Sequence, residues 1–360
     1  MAKIKTRSED FKVREILKKE FLKGKGYRIY SLWKRRLETE EVVKRIAKVS
    51  NVPVKLIGYG GLKDKNAVTV QFISVPERFK LKEVKEKNLK VKFEGFSGKG
   101  ITPAAVEGNS FEIVVREPLR YPERIDVLET LGIPGYYGEQ RFTPVRGGQF
   151  FVSYLASDDF EGALLYLFTP AGWESSRSRK AKRAFVAKRF KEAAQLFSGW
   201  RREVALFLDR CNDFKKALSF VPRKEIEFQF NVFQSYLFNK YLRFLINEKT
   251  GEKVVFKYKV GEMVFSLENI ELPEKIPVFH PEDWTLYVPF LEDIGLELER
   301  LKEFSDFFHR FERETVVPVK GFKLQQISEG AVLRFTLPSG HYATNVVRFL
   351  FDAVRKKKIG

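Results

Sequence analysis

The sequence is poor in the residues that most often carry metal or redox chemistry. Cys211 is its single cysteine, so no intrachain disulfide and no CxxC zinc site can form, and a reducing compartment fits that usage. The three histidines, His280, His309 and His341, are far apart and show no HExxH or comparable spacing, which argues against catalysis by a histidine-bound metal. No run approaches the roughly 20 apolar residues of a membrane helix. The opening MAKIKTRSEDFKVRE is charged and lacks the apolar stretch of a secretory signal, so a cytoplasmic protein is expected. A GxSxG elbow is absent, and Ser339 and His341 read as parts of a turn rather than of a triad. In GYGGLKD the lysine is followed by Asp64, so there is no GxxxxGK[ST] phosphate loop, and no GxGxxG stands where a dinucleotide needs it. An enzyme built from this chain would work with carboxylates, lysines and RNA-binding groups; neither a cofactor nor a metal is expected.

Acid is also in short supply: 47 Asp and Glu stand against 66 Lys and Arg, a net charge of +19 at pH 7. Such a field attracts polyanions, most often nucleic acid and sometimes an anionic membrane surface. What is abundant is apolar and aromatic: 44% of the 360 residues are hydrophobic and 35 are phenylalanine, ample for two domains or for one carrying a large insertion. Plentiful Lys and Glu with little Cys and Met fit a thermophile.

Along the chain, residues Glu9 to Ile16 and Gly26 to Trp33 read as strands. Thr39 is placed to cap a helix whose Val42, Val43, Ile46 and Ala47 form an apolar stripe, with Pro53 just beyond its end. Val54 to Tyr59 and Val68 to Val75 read as strands joined by the turn GGLKDKNA, and Leu89 to Phe93 and Ser110 to Glu117 as two more. After a helical Tyr121 to Leu131, the segment GIPGYYGEQRFTPVRGG, with five glycines and two prolines, marks a junction. From Phe150 to Arg313 helix follows helix, including the aromatic Phe228 to Ile246, which reads as core; Ala331 to Leu337 returns to strand and His341 to Val354 to helix. Strand-rich ends around a helical middle suggest an interrupted domain. Within that middle, Ser175 to Lys191 carries eight cations and no acid, which as a helix would show Ala181, Phe185 and Val186 on one side. Its Arg177, Arg179, Lys180, Lys182 and Arg183 are candidate RNA phosphate contacts.

Six segments, in order, carry a more specific signal: EDFKVRE (Glu9 to Glu15), GYGGLKDKNAVTVQ (Gly58 to Gln71), GNSFEIVVRE (Gly108 to Glu117), PGYYGEQRF (Pro134 to Phe142), FQSYLFN (Phe233 to Asn239) and LPSGHYATNVVRFLF (Leu337 to Phe351). Together they resemble the pseudouridine synthase D family over nearly the whole chain. Against the bacterial pattern, Gly135 replaces an Asn, Thr143 a Gly, Asn66 a His and Tyr342 a Phe. The resemblance implies an α+β pseudouridine synthase fold: a mixed, largely antiparallel sheet built from residues 1–131 and 317–360, interrupted by a mainly helical insertion, 132–316. It implies isomerisation of a uridine in tRNA, at position 13 of the D arm in bacterial members, by base flipping and without cofactor. No protein partner is implied, and a monomer is expected.

An Asp in a turn between strands is ordinarily a solvated turn residue. The family match makes Asp64 the nucleophile, and the chemistry suits it. An unperturbed Asp, with a pKa of about 3.9, is ionised at neutral pH without help from a base. Its carboxylate could attack the ribose, deprotonate it, or add to the uracil ring. The same resemblance makes Lys5 the cation that keeps Asp64 charged, with Lys63 a weaker candidate for that role or a phosphate contact. It places Phe111 to stack on the uracil, Asn109 to hydrogen-bond nearby, and Phe11 and Tyr342 in the pocket wall. Two rivals are a non-catalytic RNA-binding protein, such as an RNA chaperone, on the same fold, and an RNA glycosidase.

Overall fold

Alternation along EDFKVRE sends Phe11, Val13, Glu15 and Leu17 to one face and Lys12 and Arg14 to the other, so a period-2 segment becomes a strand with one buried side. The computed structural model describes residues 4, 6–172 and 174–352, and Lys5 lies outside them. Seven strands come from the first part of the chain: β1 (Phe11–Leu17), β2 (Tyr27–Arg35), β3 (Gly58–Tyr59), β4 (Val68–Pro76), β5 (Val84–Lys85), β6 (Leu89–Ser97) and β7 (Val106–Val115). A C-terminal hairpin, Lys320–Ile327 and Gly330–Pro338, completes a nine-stranded sheet. Read across, the hairpin leads to β7, then β1, β4, β2, β6 and β5, with β3 also on β4. Only β1 and β4 run parallel, so the sheet is mixed and largely antiparallel, within an α+β fold. The chain enters β1 from a turn fixed by Asp10, whose two oxygens take both arms of Arg116, at 2.7 and 3.0 Å.

Helix α1 (Thr39–Ser50) lays Val42, Val43, Ile46 and Ala47 onto Tyr30, Leu32, Ile73, Val75 and Val91 of the sheet. Asn51, in the left-handed conformation, ends it. Thr39 does not cap this helix. Glu38 occupies that position, and the Thr39 hydroxyl is used on the turn before β4. The strand expected over Val54 to Tyr59 shrinks to two residues, because one edge of β4 is already shared. β1 pairs with Val68–Val70 and β3 with only Ile73 and Ser74. Between them Glu15 Oε2 accepts the Phe72 N–H at 2.9 Å, so a carboxylate replaces a ladder bond.

The middle of the chain supplies helices Phe151–Ala156, Phe160–Leu167, Ser176–Val186, Phe190–Leu196, Trp200–Cys211 and the 27-residue Arg223–Lys249. It is not helical throughout. A hairpin of Lys253–Tyr258 and Gly261–Ser266 buries Val254, Phe256, Met263, Val264 and Phe265, and Lys275–Pro277 pairs with Glu312–Glu314. The chain's two passages between sheet and middle lie side by side, Ile133–Pro134 against Val316–Val317. One apolar cluster runs from Ile113 in the sheet through Tyr137 to Phe233, and a smaller one fills the helices from Leu164 to Val221. Among the described residues no helix is long and apolar enough to cross a membrane.

The aromatic helix is core, as its sequence suggests, and two of its buried amides act as clamps. Gln234 donates to the Phe279 and His309 carbonyls, at 2.7 and 2.8 Å. Asn239 accepts the Tyr137 N–H at 2.8 Å and donates to the Tyr137 carbonyl at 3.0 Å, as a neighbouring strand would. Replacing it by leucine strips two buried backbone groups of their partners, at about 1–3 kcal/mol each. The variant Asn239→Leu should therefore unfold in urea with a stability lower by about 2–4 kcal/mol; a midpoint equal to that of the parent would refute the clamp.

Candidate active site

The turn GGLKDK, which joins β3 to β4, is held by its own backbone. Lys34 continues the inward alternation of Tyr30 and Leu32 on β2 and is wholly buried. Its Nζ donates to the carbonyls of Leu37, Lys63 and Asp64, at 2.9, 3.0 and 3.2 Å. Thr39 Oγ1 accepts the Lys63 N–H at 3.1 Å and donates to Gln71 Oε1 at 3.0 Å, while Gln71 Nε2 donates to the Gly61 carbonyl at 3.2 Å. Gly60 admits no side chain, because a Cβ there would stand 2.2 Å from a Val106 methyl and 3.1 Å from Glu15 Oε1. Gly61 turns with φ +142°.

Neighbouring residues of this turn point opposite ways. Lys63 is drawn inward to Glu15, with Nζ–Oε1 2.7 Å and side-chain exposures of 13% and 0%, so the phosphate contact suggested for it has no support in this arrangement. Asp64 is exposed, and its Oδ1 accepts the Asn66 N–H at 2.8 Å, an Asx turn that sets the side chain's direction.

Asp64 lines a cavity of about 610 Å³ together with Phe11, Asn109, Phe111 and Tyr342. Strand register brings these residues together. Val13 faces Phe111 and Glu15 faces Asn109 across β1 and β7, while Phe335 and Leu337 of the hairpin face the same pair from the other side. Phe111 stacks on Phe335 with centroids 5.5 Å apart and meets Phe11 edge-on at 6.2 Å, so it is both a core ring and cavity lining. The Asn109 Oδ1 is buried and accepts no hydrogen bond from the described residues, a cost that a ligand donor would remove.

The far wall is the segment Gly138 to Arg141 with the chain from Ser339 to Thr344. The Tyr342 ring lies on Gly138, where a Cβ would come within 2.6 Å of it, and Arg141 Nε donates to the Tyr342 hydroxyl at 3.3 Å. Behind that wall Arg313, buried against the face of Tyr137 at 4.1 Å, donates to the Gly135 and Gly340 carbonyls and to His341 Nδ1. His341 Nε2 faces Glu314 at 3.2 Å, so the neutral ring with its proton on Nε2 satisfies both neighbours. His341 is thus part of the scaffold.

Lys5 lies outside the described residues. None of Arg177, Arg179, Lys180, Lys182 and Arg183 lines the cavity. Arg177, Lys180 and Arg183 are exposed on their helix, but Lys182 is buried and paired with Glu174 at 2.7 Å, so it is no surface contact. Val186, expected on the buried side, is exposed because the helix ends there and the chain turns at Lys188 with φ +57°. The sequence alone assigns no role to Lys34, Gln71, Glu15 or Arg141, and to Thr39 only that of a helix cap. For Lys34, Glu15 and Gln71 the available signal was a charged or amide side chain at an inward position of an alternating strand. Among the described residues no group of three His, Cys, Asp or Glu is placed to hold a metal.

Burial, then the nearby Arg313 cation, push His341 down to about 4 from 6.5, against the opposing pull of Glu314. The unfolded chain binds the extra proton between those values, so this part of the stability is intact above pH 6.5 and is lost as pH falls toward 4. His280, lowered by burial, acts in the same direction. Urea unfolding between pH 7 and 5 should show stability falling with pH, and falling less steeply in His341→Gln. Equal slopes in the two proteins would show that His341 does not titrate in this way.

Residues 1–283 match the family model "tRNA pseudouridine synthase D (TruD)". The chain is similar to a tRNA pseudouridine synthase D of Aquifex aeolicus, 34% identical over 97% of this chain and 98% of that one. It is also similar to a probable tRNA pseudouridine synthase D of Pyrococcus furiosus, 31% identical over 96% and 94%. The crystal structure of a putative tRNA pseudouridine synthase D from Methanosarcina mazei superposes with a TM-score of 0.65 at 24% identity, over 98% of this chain and 94% of that one, and so shares the fold. The chain belongs to the tRNA pseudouridine synthase D family.

Proposed function

We propose that this protein isomerises a uridine of tRNA to pseudouridine, with Asp64 as the reacting carboxylate. The observation that carries the proposal is the convergence of an exposed carboxylate, an aromatic ring and a hydrogen-bond acceptor without a partner among the described residues on one cavity. Its volume, about 610 Å³, is in the range of small-molecule sites, roughly 300–1,000 Å³, and suits one extruded nucleotide.

In the reaction the C1′–N1 bond breaks, the base turns, C1′ bonds to C5, the C5 proton leaves and N1 gains one. Atoms and charge balance without water, so the second carboxylate that a glycosidase uses to manage water is not required. Asp64 acts at the sugar, as nucleophile or base, or at the uracil ring. The Asn109 Oδ1 is an acceptor, as the N3–H of uracil requires, and Phe111 is the proposed ring on which the base stacks. Stacking worth about 1–3 kcal/mol offsets part of the few kcal/mol that extruding a nucleotide costs. Lys5 is the proposed charge partner of Asp64. Arg141, the half-buried Arg179 and the exposed Arg177, Lys180 and Arg183 are the proposed phosphate contacts, consistent with the +19 charge. The proposed target is the D arm at position 13, and the protein is proposed to act as a cytoplasmic monomer. Residues 1–131 and 317–360 form the proposed catalytic domain and 132–316 the insertion.

Unmodified tRNA incubated with the parent protein should yield pseudouridine by nucleoside chromatography. Asp64→Asn should lose that activity by about 10³-fold or more with little change in tRNA affinity. Binding without product in either protein would favour the RNA chaperone, and release of free uracil would favour a glycosidase. Affinity should also fall with salt at a log–log slope of about −0.7 to −0.9 per phosphate contact; a flat salt dependence would contradict an electrostatic groove.

A further inference from the structure

A lysine with no exposed surface is unusual unless it meets a carboxylate, and the side-chain nitrogen of Lys34 meets carbonyl oxygens instead. An apolar residue of similar length would fill the space without the cost of burying charge. What an ammonium alone supplies is three N–H donors at one point, and here three carbonyls converge on it, two of them from the turn carrying Asp64. Resting on the functional reading above, we infer that Lys34 is the positioning residue of the reaction: its buried ammonium holds the Lys63 and Asp64 carbonyls so that the Asp64 carboxylate meets the substrate in a reactive geometry.

Geometry makes this hold dependent on a proton. A neutral amine has two N–H groups and a lone pair, so on deprotonation one of the three carbonyls loses its donor and faces a lone pair. Burial lowers the Lys34 pKa to about 8, against the attraction of Asp64, with Lys63 lowering it further and Glu38 raising it. Across the sheet its neighbours are Thr69 on β4 and Leu89 on β6, neither of them charged. The grip on the turn is therefore complete at neutral pH and weakens as the solution passes through about pH 8. Thr39 and Gln71 still bond Lys63 and Gly61, so the turn opens more often without unfolding.

The test compares single-turnover rates of the parent protein and Lys34→Met on the same tRNA from about pH 6 to about pH 9.5, with saturating enzyme. Taking the ratio cancels ionisation of the substrate uridine, which both proteins share. The parent should be faster by about 10- to 100-fold at neutral pH with unchanged tRNA affinity, and the ratio should fall toward one as pH rises through about 8. A ratio that does not change with pH, or equal rates, overturns the inference. Asp64→Asn measured alongside separates the two readings. If it stays active, the functional proposal falls; if it is inactive and the Lys34→Met ratio is flat, only the positioning role falls. Should Lys34→Met not fold, exchange of the Lys63 amide in the parent protein decides. Protection, corrected for base catalysis, should drop above about pH 8, and unchanged protection overturns the inference.

Discussion

Five backbone groups at or beside the turn carrying Asp64 are engaged by three buried side chains. Lys34 takes the carbonyls of Leu37, Lys63 and Asp64, Thr39 takes the Lys63 amide, and Gln71 takes the Gly61 carbonyl. This anchoring resolves two demands that conflict in most turns. A reacting carboxylate has to face the substrate, yet a loop that reaches into solvent is mobile and loses orientation. Holding the main chain from behind leaves the side chain at the surface while the turn stays fixed. The anchors sit at inward positions of β2, β4 and the start of α1, elements fixed in turn by the apolar layer of Tyr30, Leu32, Val43, Ile46 and Ile73. Glu15 contributes from β1 by drawing Lys63 inward and closing the gap at Phe72. Charge is thus used twice to hold the turn, and in neither case does the cation point to solvent.

The opposite wall obeys the same logic with different groups. Asn239 and Asn345 hold Tyr137 and Tyr136 by their backbone, Arg313 spans Gly135 and Gly340, and Gly138 lets the Tyr342 ring lie flat on the chain. Residues far apart in sequence therefore meet at a cavity whose two sides are each fixed by buried polar contacts rather than by packing alone. Such contacts are costly when broken and give a single geometry when complete, which suits the proposed role of receiving a nucleotide pulled from its stack.

Much of this was legible in the sequence, for particular reasons. Phe11, Asp64, Asn109, Phe111 and Tyr342 sit in motifs dense enough to single out, and all five line one cavity. The sheet was legible because β1 alternates strictly and β2, β4 and β7 alternate over most of their length. Lys34 was not, since a lysine in a strand reads as the solvent-facing half of the pattern, and only coordinates show it on the buried half. Thr39 read as a helix cap because its position before two glutamates is a capping signature, whereas its hydroxyl was needed by the turn. The short β3 reflects competition for one edge of β4, a tertiary constraint that no local pattern carries. The strand pair at Lys253–Ser266 was lost in a stretch otherwise rich in helices, although its Val254 and Phe256 already show the two-residue period.

The central claim is that the anchored carboxylate stands against an extruded uridine. The most direct test is a crystal structure of Asp64→Asn bound to an unmodified tRNA. The account predicts one uridine turned out of its stack into this cavity, its ribose or its uracil ring within about 3.5 Å of the side chain at position 64 and its N3–H on Asn109 Oδ1. A complex in which the target base stays stacked in the RNA, or enters a different part of the protein, would contradict it.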